Sequence, residues 1–110
     1  MEKYIVNVTF VMAHEQRRRF LSWMKEEATP LLFSNDTTGC DPRLQTVIEV
    51  GGEVPGPEHG LSIALQADFL TSEAAHDWND RVLPPVLAAY HSQFGPHALF
   101  FVTLLHSEAL

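Results

Sequence analysis

The stretch Ala98 to Leu105 reads Ala-Leu-Phe-Phe-Val-Thr-Leu-Leu, apolar at almost every position. Side chains on a strand alternate between two faces, so a strand of this composition keeps both of its faces from water. A chain of 110 residues with two long helical stretches can cover one face of a four-stranded sheet and no more. The other face calls for a second copy. The expected architecture is therefore a self-associating α+β domain, one unit over residues 1–110.

The other elements follow from periodicity. Lys3 to Met12 alternates, with Tyr4, Val6, Val8 and Phe10 on one side and Ile5, Asn7, Thr9 and Val11 on the other, which predicts a strand. From His14 to about Ala28, Phe20, Leu21, Trp23 and Met24 cluster at helical spacing among strong helix formers. Pro30 predicts a break there, followed by a short second turn through Leu32. Asn35 to Pro42 is rich in turn residues, and Arg43 to Val50 alternates again, with Leu44, Ile48 and Val50 assigned to the buried side. Gly51 to Gly60 holds four of the six glycines at no phosphate-binding spacing, which predicts a long exposed hairpin loop. Leu61, Ile63, Leu65, Ala67 and Phe69 alternate with Ser62, Ala64, Gln66 and Asp68 in a third strand. Thr71 or Ser72 caps a second helix, with Ala75, Trp78, Val82 and Val86 as its buried stripe and Phe94-Gly95-Pro96 as its end.

The two halves echo each other at a spacing of 55 residues. Trp23 and Trp78 each stand seven residues before a proline, Pro30 and Pro85, and Val6, Val8 and Phe10 fall on Leu61, Ile63 and Leu65. Leu44 and Val50 fall likewise on Leu99 and Leu105. This pattern implies a pseudo-two-fold βαβ repeat, the ferredoxin-like plait βαββαβ, with both helices on one face of a four-stranded antiparallel sheet.

Composition narrows the function. Fourteen acidic against seven basic residues give a net charge of −7, which repels phosphate backbones and anionic lipid, so neither nucleic acid nor membrane is an expected partner. The three consecutive arginines Arg17 to Arg19 fan around a helix and read as a solvated face. No apolar run approaches the roughly 20 residues of a spanning helix. The opening Met-Glu-Lys-Tyr-Ile-Val-Asn-Val lacks the apolar core of a secretory signal, and a single cysteine, Cys40, suits a reducing compartment, so the expected location is the cytoplasm. No Gly-x-Ser-x-Gly, Walker or dinucleotide motif is present. The histidines form no His-x-His or His-x-x-x-His pair, so no metal is expected, and His76 with Asp80 reads as a surface hydrogen bond.

Tyr4 to Thr9, Trp23-Met24-Lys25-Glu26-Glu27 before Pro30, Ser62 to Gln66, and Phe94-Gly95 ahead of a last strand containing Thr103 together resemble a family of short, uncharacterised ferredoxin-like proteins related to the dimeric α+β barrels. The resemblance implies a homodimer. The chain departs from the family pattern at Ala28, where relatives tend to carry histidine, and at Val102, where they tend to carry arginine. It is expected to lack whatever chemistry those groups supply.

If Val6, Val8, Phe10, Leu61, Ile63 and Leu65 face the helices, the far face presents Asn7, Thr9, Ser62, Ala64 and Gln66. Ala98, Phe100, Val102 and Leu104 are assigned to the same face as an apolar edge and dimer interface. Asn7, Thr9, Ser62 and Gln66, with Trp23 and Trp78 as lining aromatics, are the candidate ligand contacts, either orienting a small, partly apolar molecule or bonding to one another. For the tryptophans, plain core packing is the competing role. No cofactor is expected. The alternative class is a monooxygenase of the dimeric α+β barrel type, cofactor-free or haem-degrading, since Asn7 with Trp78 and a histidine on the second helix is similar to the haem-degrading members.

Overall fold

The computed structural model describes residues 2–34, 38–54, 60–95 and 97–110. Alternation in the first strand, β1 (Lys3–Met12), sends Val6, Val8, Phe10 and Met12 into the core and leaves the residues between them partly exposed. The chain then enters a 3₁₀ turn (His14–Gln16) and α1 (Arg17–Trp23), passes through a π turn (Met24–Ala28) and ends in α2 (Thr29–Leu32). Next come β2 (Cys40–Thr46), β3 (Leu61–Phe69), α3 (Ser72–Asp77), a second π turn (Trp78–Val82), α4 (Leu83–Phe94) and β4 (Leu99–Ser107). The strands pair antiparallel in the order β2-β3-β1-β4. This is the ferredoxin-like α+β fold expected from the repeat.

The prolines do not break the helices, as Pro30 was expected to. Each follows a π turn, in which the Thr29 N–H reaches Met24 O and the Leu83 N–H reaches Trp78 O. The widened turn absorbs the hydrogen bond that a proline cannot donate, and helical backbone continues beyond it. Thr29 Oγ1 also donates to Met24 O at 2.8 Å. At the start of α3, Thr71 Oγ1 accepts from the Ala74 N–H, the cap expected there. Gly95, at φ 90°, ends α4; Pro96 lies outside the described residues.

The core lies between the helices and one sheet face. Phe10, Phe20, Trp23, Tyr90 and Phe94 form one aromatic cluster, and Phe33, Phe69 and Trp78 another. Trp23 and Trp78 are 4% and 2% exposed, and the Trp78 indole donates to Leu32 O at 2.9 Å. They pack in the core on the helix side of the sheet, away from the polar candidates with which they were grouped.

Three further placements correct the sequence reading. Phe100 pairs with Phe10, Val102 with Val8 and Leu104 with Val6, so these β4 residues share the helix side, while Ala98 is buried just before the strand. The β4 residues on the far side are Leu99, Phe101, Thr103 and Leu105. A strand apolar on both faces does not set its own parity; pairing with β1 does, and a slip of one residue exchanges the faces. The 55-residue echo misleads here, because Leu44 pairs with Leu65 on the helix side whereas Leu99 pairs with Val11 on the other. Ile48 and Val50, assigned to the buried side, are 76% and 63% exposed. β2 stops at Thr46, and the chain makes a small hairpin in which Val50 and Glu53 exchange backbone hydrogen bonds across Gly51 and Gly52, both at positive φ. The rest of the expected long loop, residues 55–59, and the turn residues 35–37 lie outside the described residues.

Tyr90 ties this core to the sheet: its hydroxyl lies 2.9 Å from Val11 O and 3.2 Å from Leu99 O, the carbonyls of a residue pair joining β1 to β4. Burial pushes its pKa up to about 12. The unfolded chain therefore ionises first, and the contribution of Tyr90, complete below pH 10, is expected to fall away as pH rises toward 12. Tyr90→Phe should cost about 0.5 to 1.5 kcal/mol at neutral pH. Chemical denaturation at several alkaline pH values should show a shallower loss of stability for the variant than for the native chain.

Candidate functional site

The helices cover one sheet face, and nothing in the described chain covers the other. Ladder pairing arranges the uncovered face in rows. Gln45, Ala64, Thr9 and Phe101 form one row, followed by Arg43, Gln66, Asn7 and Thr103. Beyond these lie Asp68, Ile5 and Leu105. At the opposite end, the Val47 N–H donates to Ser62 O at 3.0 Å, which extends the ladder one step and aligns Val47 with Ser62, Val11 and Leu99.

The centre of this face is a hydrogen-bonded chain of side chains. Gln45 Nε2 donates to Gln66 Oε1 at 3.0 Å, Gln66 Nε2 to Asn7 Oδ1 at 2.9 Å, and Asn7 Nδ2 to Thr9 Oγ1 at 3.1 Å. The structure thus brings together Asn7, Thr9 and Gln66, and these three side chains bond to one another. Each end keeps free capacity: Gln45 retains its carbonyl oxygen, and the Thr9 hydroxyl retains its proton. Ser62 shares the face from the next row but one along β3. The edge beside β4 is apolar, with Leu99, Phe101 and Leu105 between 40% and 58% exposed.

Three charged residues on this face were not singled out from the sequence. Asp68 is almost completely buried, with Lys3 Nζ at 3.1 Å from one carboxylate oxygen and Arg43 Nη2 at 3.1 Å from the other. Burial alone would raise the carboxyl pKa, but hydrogen bonds and charge from Lys3 and Arg43 outweigh it and hold the group below its ordinary value. The signal was present, since Asp68 and Arg43 both occupy outward positions of their strands, but only the ladder reveals that they meet.

The described histidines lie outside the rows of this face. His76 Nδ1 sits 2.8 Å from Ser72 O, turned toward that carbonyl rather than toward Asp80. Ala28 is buried among the helices, and Val102 packs against the core. Among the described residues, Glu2, His106 and Glu108 are the cluster spaced to approach a common ion; all three are exposed near the chain ends.

Fold and face together define a ferredoxin-like α+β protein with one bare sheet face. Solved structures share this fold over their whole length. An ethyl tert-butyl ether d (ethd) family protein from Bacillus halodurans aligns with a TM-score of 0.60 at 9% identity, covering 97% of this chain and 99% of that one. A dabb family protein with a ferredoxin-like fold from Mesorhizobium loti aligns at 0.51 and 18% identity, covering 97% and 98%. The heme-degrader MhuD from Mycobacterium tuberculosis, solved with two hemes in its active site, aligns at 0.52 and 17% identity, covering 96% and 95%. No protein-family model matches the chain, and no curated protein matches it in sequence.

Because the native carboxyl pKa of Asp68 is lowered, its contribution is present above the unfolded value near 3.8 and is lost as pH falls through the native one. Asp68→Asn should cost about 1.5 to 3 kcal/mol at neutral pH by removing two charge-assisted hydrogen bonds. Urea titrations at acidic and neutral pH should show the variant losing less stability on acidification than the native chain.

Proposed function

We propose that the protein is a homodimer that closes its uncovered sheet face against a second copy and holds a small, partly apolar molecule in the space between. The observation that carries this reading is the composition of that face: a hydrogen-bonded polar centre, Gln45-Gln66-Asn7-Thr9, bordered by exposed Leu99, Phe101 and Leu105. Apolar strand residues in such a row are an interaction surface rather than a solvated one. A facing copy would remove them from water and double the set of amides and hydroxyls, which can donate to and accept from a carbonyl or hydroxyl of a guest. Full-length similarity to a dabb family protein supports the same reading. Cys40, a free thiol, suits a reducing compartment and so supports a cytoplasmic location.

The chemistry of the face fits binding rather than catalysis. Amides and hydroxyls neither give up nor take a proton near neutrality, and the one carboxylate among its described row residues is held ionised between two cations. Haem, bound by the MhuD neighbour, does not fit the residues described here. Asn7 lies on the uncovered face and Trp78 in the core behind the sheet, so the pair that resembled a haem site does not converge. The paired rows of the uncovered face carry no described histidine, and the space between helices and sheet is filled by Phe10, Phe20, Trp78 and Tyr90.

Sedimentation at micromolar concentration should give a dimer, and Phe101→Asp, a change at an exposed site of the single chain, should shift it to monomer. A monomer for the native chain would end the proposal. Gln66→Leu should leave the fold within about 1 kcal/mol, since Asn7 and Gln45 can bond to water in its place, while reducing the mass of co-purifying small molecule seen by native mass spectrometry. A shifted Soret band from bound haem, followed by its turnover, would replace this reading with the haem-degrading one.

A further inference from the structure

The single chain leaves two apolar patches in water. One is the β4 edge, Leu99 and Phe101 at 49% and 58% exposure. The other is the arm that follows β2, where Ile48, Val50 and Val54 are 76%, 63% and 77% exposed. The arm forms one wall of a cleft of about 400 Å³, whose other lining includes His14, Val47, Leu61 and Ser62.

The ladder relates the two patches. Val47, from which the arm departs, is aligned with Ser62, Val11 and Leu99. Arm and β4 patch therefore lie at the same end of the sheet but on opposite edges. When two sheets pack face to face, a two-fold axis along the strands exchanges the edges and keeps the ends, bringing each arm over the partner's β4 edge. An axis across the strands exchanges the ends instead. It would place β4 against β4 and carry each arm to the end marked by Lys3, Arg43 and Asp68, an apolar arm on a charged surface. Only the first arrangement sets both apolar patches against each other, and it does so twice, as an isologous interface requires.

We infer that the arm Val47–Val54 clasps the second copy, with the partner's Leu99 and Phe101 seated against Ile48, Val50 and the cleft behind them, about a two-fold axis running along the strands. This rests on the homodimer proposed above and adds its orientation and its second contact. The same axis sets Gln66 opposite the partner's Asn7, so the polar centre of one copy faces that of the other.

A double variant, Val50→Cys with Leu99→Cys in a Cys40→Ser background, tests it. Within one chain the β2 edge, from which the arm departs, and the β4 edge that holds Leu99 are about three strand spacings or 14 Å apart, beyond disulfide reach. A disulfide between positions 50 and 99 must therefore join two chains. Oxidation should give a covalent dimer whose peptides link 50 to 99, while Leu99→Cys alone should give none. Ile48→Asp should raise the dimer dissociation constant about tenfold or more without lowering the melting temperature of diluted monomer. Cross-linking by Leu99→Cys alone, or a sedimenting dimer that forms no 50–99 bond and ignores Ile48→Asp, would overturn the clasp and leave the homodimer standing. A native monomer would overturn both.

Discussion

The pairing of Phe10 with Phe100 decides which surface this protein shows to the outside. β4 is apolar on both sides, so either half of its side chains could have been given to the core. Because Phe10 already faces the helices, its partner Phe100 must follow, and with it Val102 and Leu104. Leu99, Phe101 and Leu105 are thereby left in the open. The same strand, β1, pairs with β3 on its other side and hands the sheet its polar centre through Asn7 and Gln66. One register thus sets both the apolar border and the hydrogen-bonded middle of the uncovered face.

The helices have no capacity left to serve that face. Their apolar stripes are consumed by the other side of the sheet, where Trp78 reaches across to Leu32 O and Tyr90 reaches down to the carbonyls of Val11 and Leu99. The two π turns keep each helix running past its prolines, so that Leu32 and Val86 still arrive in the core. A break at either proline would have removed a turn's worth of apolar side chains from the sheet.

How much of this was legible in the sequence follows from how local each determinant is. Alternation in β1 and β3, the Thr71 cap and the glycine that ends α4 are written within a few residues, and they read correctly. The plait follows from the repeated Trp and Pro positions. The facing of β4 depends on a partner strand some 90 residues earlier, and no periodicity within a uniformly apolar segment encodes it. The end of β2 at Thr46 was hidden for a related reason: Ile48 and Val50 keep an alternating pattern although, among the described residues, the ladder does not continue beyond Val47. For the site, the sequence brought Asn7, Thr9 and Gln66 to one face. It did not bring Lys3 and Arg43 to Asp68, a meeting that takes three strands to assemble. Trp23 and Trp78 were grouped with the site because aromatic rings suit pockets and cores alike, and sequence periodicity does not distinguish the two.

The charge distribution bears on whether two such chains can meet at all. At a net charge of −7, two copies repel over a screening distance of about 8 Å at physiological ionic strength. The repulsion is not centred on the uncovered face. Among the outward positions in the paired rows, the charged residues are Lys3, Arg43 and Asp68, two cations around one anion. The acidic excess lies instead on the helices and loops, in residues such as Glu15, Glu26, Glu27, Glu73 and Asp77, all exposed. A face that is locally near neutral, on a molecule whose acidic excess lies elsewhere, sets less like-charge repulsion against a second copy than the acidic helices and loops would.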